Sequence, residues 1–282
     1  MPKKVIEFIV FSSIFIALCA VALCIETNFL LHLPLNDTGF YCFVFGATLV
    51  QYNFHYFIKK NANTGSKRLN WSARNIHIHK ILLGIGCLFI LGSLFTLHLK
   101  HYFLLGILGF ISILYSSPFL PFPRRKRIKD FGLLKILTLS LFWTLVTVWL
   151  PIVETKFHIL SFQLIFIRRF IFLFILCLLF DMRDIDVDSK ENINTLPIIL
   201  GIKKTYLLAN TLVFVFMLLS VIEYLQLSDM GQLLAMLLSG VATFLVIYNS
   251  RNNKNDIYYL GIVDGMMLLQ AALVIAGELY LH

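Results

Sequence analysis

Nine apolar runs set the limits on what this chain can fold into. Each approaches the roughly 20 residues that carry a helix across the hydrocarbon core of a bilayer. They cover Val5–Ile25, Phe40–Ile58, Ile76–Leu99, Tyr102–Pro118, Phe131–Pro151, Ser161–Phe180, Tyr206–Leu225, Met230–Tyr248 and Ile257–Leu281. Backbone amides in lipid have no water to bond, so runs of this kind are helical. With 59% of 282 residues hydrophobic, 14% charged and 27 phenylalanines, the apolar surface exceeds what one water-facing core can bury. The expectation is an all-α, polytopic membrane protein of nine transmembrane helices. It forms a single integral-membrane domain over 1–282, with polar loops at about 59–76, 119–130 and 181–205. The first run follows Met-Pro-Lys-Lys like a secretory signal, but its apolar stretch is too long and no small-residue cleavage site follows, so it reads as an anchor.

The formal charge of +9 would point to nucleic acid only if it lined one face of a soluble module. Here the cations sit in short clusters between the runs, so no nucleic-acid partner is expected. If nine helices alternate from a cytoplasmic amino terminus, 20 of the 24 lysines and arginines fall on the inner side. Lys100, Lys156, Arg168 and Arg169 remain on the other. This separation follows the rule that cytoplasmic loops are rich in Lys and Arg. It predicts an inner (cell) membrane protein of bacterial type with its carboxyl terminus on the opposite side. Cys19, Cys24, Cys42, Cys87 and Cys177 all lie in apolar runs without a CxxC pair, and read as small buried hydrophobes.

The acids are more informative. Of 15, five crowd the segment FDMRDIDVDSKEN: Asp181, Asp184, Asp186, Asp188 and Glu191. If the sixth helix continues through it, Asp181, Asp184 and Asp188 share one face. Carboxylates so close repel one another unless a cation sits among them, and hard oxygen ligands of this kind suit Mg²⁺ together with phosphate oxygens. The alternative is a solvated acidic loop, although the inner loops here are otherwise basic. Beyond the acids, NINTLPIILGIKKT places Pro197 at one turn and Gly201 at another. Lys203 and Lys204 then open the seventh helix and read as contacts to lipid headgroups or to phosphate oxygens of a ligand.

DMRDIDVD followed by NTLPIILG resembles the second aspartate-rich motif of the UbiA superfamily of intramembrane prenyltransferases, DxxDxxxD followed by Thr-Leu-Pro and a glycine. Asp181, Asp184 and Asp188 fall on its three acids. YSSPFLPFPRRKR is similar to a further segment of that family, with Tyr115, Pro118 and the Arg124–Arg127 cluster as counterparts. The resemblance implies a nine-helix bundle around a central cavity open to the cytoplasmic side. It implies Mg²⁺ on Asp181, Asp184 and Asp188, and a prenyl diphosphate or other lipid phosphate as substrate. The reaction implied is transfer of an isoprenyl group to an aromatic or lipid acceptor.

The first aspartate-rich motif of that family departs from its pattern here. The corresponding stretch reads YNFHYFIKKN: Asn53 is present, but Phe54, Phe57 and Asn61 stand at the acidic positions. Asn192 and Asn194 also replace a glycine and a basic residue of the second motif. Three outcomes follow. One Mg²⁺ is retained and cations from Lys59, Lys60, Lys67 and Arg68 take over from the other, since a lysine can neutralise phosphate directly. Or a different lipid phosphate is used. Or catalysis is lost, leaving a lipid-binding or complex-assembly subunit with a protein partner. The residues expected to bind substrate are Asn53, His55, Lys59, Lys60, Tyr115, Lys126, Arg127, Arg183 and Lys190. No residue stands out as catalytic in its own right.

Five polar residues inside the runs complete the reading. Arg168 and Arg169 either snorkel toward the outer headgroups or mark a sixth helix that borders a wet cavity. Asp264, about two turns into the last run, either lines a cavity or is neutral and hydrogen-bonded. His77 and His79 are expected at the inner interface.

Overall fold

The computed structural model describes residues 2–58, 67–116, 131–155 and 158–281, which are helical or lie in turns and short irregular connections, with no strand among them. The helices are α1 Pro2–Phe11, α2 Ile14–Leu30, α3 Thr38–Ile58, α4 Lys67–Arg74, α5 Ile76–Ser93, α6 Leu99–Ser116 and α7 Gly132–Thr144. After them come α8 Ile159–Arg183, α9 Ile185–Lys190, α10 Leu196–Leu200, α11 Ile202–Leu227, α12 Met230–Ser250 and α13 Gly265–Leu281. π-helical stretches at Leu145–Trp149 and Tyr258–Val263 extend α7 at its end and α13 at its start.

Among the described residues six helical runs are long and apolar enough to cross a membrane, and a seventh is the bent pair α1–α2. Leu99–Tyr115 is a shorter apolar helix, and α3 adds a further 21-residue helix. The chain is an integral membrane protein. The first span differs from a straight helix. It bends by 63° between α1 and α2, where Ser13 takes a left-handed conformation, φ 69°. Such a residue ends the ladder of α1 and restarts the chain at a new angle.

α2 packs against α13, α13 against α12, α12 against α11, α11 against α8 and α8 against α7, whose π-helical end returns to α2. The six helices thus close a ring, and α3 with α5 packs outside α2. The crossing of α12 and α13 depends on two glycines. A Cβ at Gly231 would stand 2.8 Å from the Gly277 carbonyl oxygen, and one at Gly277 2.7 Å from that of Gly231. Small residues at such crossings let backbones approach without side chains between them. Gly277→Val is expected to force α12 and α13 apart and destabilise the protein by about 1–3 kcal/mol. A lower melting temperature in detergent would register it.

Arg168 and Arg169 do not snorkel. They are 2% and 3% exposed and point into the ring. Arg168 pairs with Glu223 of α11, and Arg169 Nη2 lies 3.0 Å from Glu26 Oε2 of α2. Arg169 Nη1 also donates to the Leu23 carbonyl at 3.5 Å. Snorkelling places a lone cation in the headgroups. A buried carboxylate partner removes the need, and Glu26 lies in α2 just beyond the end of the first apolar run. The five cysteines are free.

Candidate functional site

The acidic segment lies at the end of α8, and its local geometry follows from one break. Asp184 leaves the helix at φ −90°, ψ 7°, while its carbonyl accepts from the N–H groups of Val187 and Asp188, both at 2.9 Å, to start α9. Asn192 at φ 55° reverses the chain, and the Ile193 N–H returns to the Asp188 carbonyl at 2.9 Å. Pro197 occupies the first turn of α10, where its missing N–H costs nothing. Gly201 at φ 80° then links α10 to α11, a conformation open mainly to glycine. Both turns lie where the sequence indicates them.

The break keeps the three aspartates off a common helical face, and Lys135 brings two of them together. Its Nζ lies 2.9 Å from Asp181 Oδ1 and 3.2 Å from Asp188 Oδ2. Lys135 reaches them from the first turns of α7, whose start rests directly on the Asn194–Thr195 backbone. A Cβ at Gly132 would overlap the Asn194 carbonyl, so only glycine permits this approach. Asp181 and Asp188 are 3% and 6% exposed. The second oxygen of Asp181, Oδ2, is buried without a hydrogen-bond partner. Burial pushes the Asp188 carboxyl above the usual range, against the pull of Lys135. Asp186, by contrast, accepts from Lys254 at 2.8 Å in the open, and that hydrogen bond holds it low.

Asp184 turns to Arg183, which grips it with two donors, Nε at 2.7 Å and Nη2 at 2.9 Å. The Arg183 guanidinium lies over the rings of Phe180 and Tyr259, 4.9 Å and 5.2 Å from their centroids. Its Nη1 is 3.7 Å from Asp256 Oδ1. Asp256 also accepts from the Arg68 N–H at 3.0 Å, and Arg68 Nη2 donates to Ser13 Oγ at 3.1 Å, over the bend of the first span. Asp264 is buried within electrostatic reach of Arg68 and Arg183. The result is a polar centre where acids from α8, α9 and the start of the last span interleave with Lys135, Arg183 and Arg68. Beside it, an apolar groove of about 580 Å³ runs between α1 and the start of the last span, lined by Ile9, Phe15, Ile257, Tyr258 and Ile262 among others.

The expected substrate residues separate into groups. Arg183 belongs to the centre, and Lys190, at the end of α9, is within electrostatic reach of Asp186. Asn53 is buried, 2.6 Å from His79 Nδ1 through its carbonyl oxygen and donating to the Ser12 carbonyl at 3.2 Å. His79 is therefore a buried partner of α3 and not an interfacial residue. It also meets the Trp71 ring of α4 edge-on, at 5.8 Å. Tyr115 is half-buried near the end of α6. Lys59, Lys60, Lys126 and Arg127 lie outside the described residues, and His55 is described in its backbone alone. Lys135, Asp256 and Arg68's role as an anchor were not singled out by sequence reasoning. Lys135 left one signal, a cation four residues inside an apolar run.

A family profile, that of the UbiA prenyltransferase family, matches residues 70–258. No curated protein sequence matches the chain. Solved structures similar to it include one of digeranylgeranylglyceryl phosphate synthase, 15% identical, with 99% of each chain covered and a TM-score of 0.59. A UbiA homologue from Archaeoglobus fulgidus bound to GPP and Mg²⁺ is 12% identical over 96% of this chain and 99% of that one, with a TM-score of 0.59. The same homologue bound to DMAPP and Mg²⁺ aligns at 11% identity over 95% and 99%, with a TM-score of 0.60.

Proposed function

This chain belongs to the UbiA prenyltransferase family, and on that premise we propose that it transfers an isoprenyl group from a prenyl diphosphate to an aromatic or lipid acceptor in a Mg²⁺-dependent reaction. The observation that carries the reading is Asp181, a buried carboxylate with one oxygen on Lys135 and the other without a partner. An unpaired buried acceptor is costly, and a hard cation satisfies it. The homologue structures with GPP or DMAPP and Mg²⁺ support the same donor chemistry. Asp181 with Asp184 and Asp188 are the residues proposed to hold the ion. When bound, Mg²⁺ draws charge from the departing diphosphate.

The remaining tasks fall to the chain itself. Lys135, Arg183 and Arg68 are the cations beside the acids, suited to phosphate oxygens. Arg68 is proposed to stand in for the metal lost with the first motif, since it reaches the first span from α4, the helix that follows the stretch lacking its aspartates. The apolar groove along α1 offers a dry path for the isoprenoid tail. In the reaction the allylic C–O bond breaks with its electron pair leaving on diphosphate. The acceptor then forms a bond to that carbon and releases a proton. Exclusion of water by the apolar walls protects the cationic carbon. The fold is proposed as nine spans in one domain, with the amino terminus and the polar centre on the cytoplasmic side and the carboxyl terminus opposite. The membrane is proposed to be a bacterial inner membrane.

One observation favours a second reading. Lys135 already neutralises Asp181 and Asp188, as expected of a scaffold that binds lipid or a partner protein without turnover. Purified protein incubated with geranyl diphosphate, an acceptor panel and Mg²⁺ separates the two. Mg²⁺-dependent release of diphosphate with a prenylated product supports the enzyme, whereas binding without release supports the scaffold. Within the enzyme reading, Arg68→Ala is expected to weaken diphosphate binding by about tenfold or more while leaving Mg²⁺ dependence intact. Equilibrium binding of geranyl diphosphate with and without Mg²⁺ reads this.

A further inference from the structure

A second constellation of ligating groups lies at the other end of the bundle. From Asp256 the last span runs more than twenty residues to Glu278, a distance of about 30 Å. There, Glu278 near the end of α13 meets Asp229, which precedes α12, and His32, which follows α2. Among the described residues this is the group whose His, Asp and Glu ligand atoms all lie within 4.8 Å of one another. His32 Nε2 is 3.5 Å from Asp229 Oδ2, and His32 Nδ1 is 3.7 Å from Glu278 Oε2.

The arrangement is built into the fold. The Gly231–Gly277 crossing brings α12 and α13 into backbone contact within one turn of these carboxylates. Gln232, 3% exposed, holds both acids. Its backbone N–H donates to Asp229 Oδ1 at 2.9 Å, and its Nε2 donates to Glu278 Oε1 at 2.8 Å. The other oxygen of each acid is thereby turned toward His32. His32 takes a left-handed conformation, φ 50°, at the end of α2, and its side chain stays half exposed. The carboxylate side chains are only 5% and 9% exposed. Two carboxylates so close to each other and so poorly hydrated are relieved by a shared proton or by a cation between them.

We propose that His32, Asp229 and Glu278 form a site for a divalent transition-metal ion of the Zn²⁺ class. The ligand set decides the class. Mg²⁺ favours oxygen alone, whereas one imidazole with two carboxylates suits Zn²⁺ and its neighbours. Zn²⁺ ligands at bond lengths of about 2.0–2.2 Å stand about 3.4 Å apart in a tetrahedron. His32 Nε2 is 3.5 Å from Asp229 Oδ2, whereas the contact to Glu278 is made by Nδ1; one ion takes one ring nitrogen, and the three ligand atoms, within 4.8 Å of one another, need only small side-chain shifts to close on it. Gln232 orients the acids as hydrogen-bonded partners orient metal ligands elsewhere. The half-exposed imidazole leaves a route for the ion from solvent.

The test uses the purified full-length chain in detergent, stripped with a chelator and titrated with Zn²⁺, and with Co²⁺ as a visible probe. The expected result is about one ion retained per chain after gel filtration, with d–d absorption from Co²⁺ and a higher melting temperature with Zn²⁺. His32→Ala and Glu278→Gln should weaken retention by more than about tenfold, and Asp181→Asn should leave it unchanged. Should Glu278→Gln fail to fold, Gln232→Ala provides the parallel reading, with a weakening of about tenfold. No retained ion, retention unaffected by His32→Ala, or retention lost in Asp181→Asn would each overturn the site. The first outcome would leave a His32–Asp229–Glu278 ion pair alone.

Discussion

Asp181→Asn is expected to abolish Mg²⁺-dependent binding of geranyl diphosphate and to lower transfer by at least about 100-fold. The substitution keeps the size of the side chain and its capacity to accept from Lys135. It removes the charge that both Lys135 and a metal ion require. Because Asp181 is almost fully buried, water does not replace what is lost, and the effect exceeds that of changing the exposed Asp186. The effect should also differ in kind from that of Arg68→Ala, which weakens diphosphate without removing Mg²⁺ dependence. Wild-type turnover in Asp181→Asn, with Mg²⁺ dependence unchanged, would remove the metal assignment. Unchanged lipid binding with no turnover in either protein would favour the scaffold reading.

Removing the cation of a buried pair has the largest expected effect on stability. Arg169→Met leaves Glu26, which is 0% exposed, without the guanidinium that balances it in the middle of the ring. Breaking a buried ion pair from one side costs about 3–5 kcal/mol. The double change Glu26→Gln with Arg169→Met removes both charges and should recover most of that loss, because burial penalises the lone ion more than the absence of the pair. Thermal melting in detergent of the two single variants and the double variant reads the coupling. If the single and double variants melt alike, the pair contributes nothing and the arginines are held by packing alone.

Much of the fold was legible in the apolar runs. Length and apolarity mark each helix because lipid leaves the backbone no other partner, and the ends of most runs fall within a few residues of the observed ones. The bend at Ser13 was not legible, since one left-handed residue leaves no mark on hydropathy. Snorkelling of Arg168 and Arg169 gives way for a related reason. Snorkelling is the sound inference for an isolated cation, but Glu26 and Glu223 lie far off in sequence, and only the ring that brings α2, α8 and α11 together shows them as partners.

The candidate site divides in the same way. The sequence by itself determined that Asp181, Asp184 and Asp188 stand at the end of a span, that Pro197 and Gly201 turn the chain behind them, and that the first motif lacks its acids. Those are local properties of spacing and side-chain chemistry. That Lys135 bridges two of the aspartates, that Arg183 takes the third, and that Arg68 and Asp256 join them was decided by tertiary structure alone. The same holds for His32, Asp229 and Glu278, which come from three distant segments. Close approach of α7 to the Asn194 backbone, and of α12 to α13, sets these contacts through glycines that let two backbones touch. The charges involved are ordinary in sequence. Burial beside one another is what gives them chemical consequence.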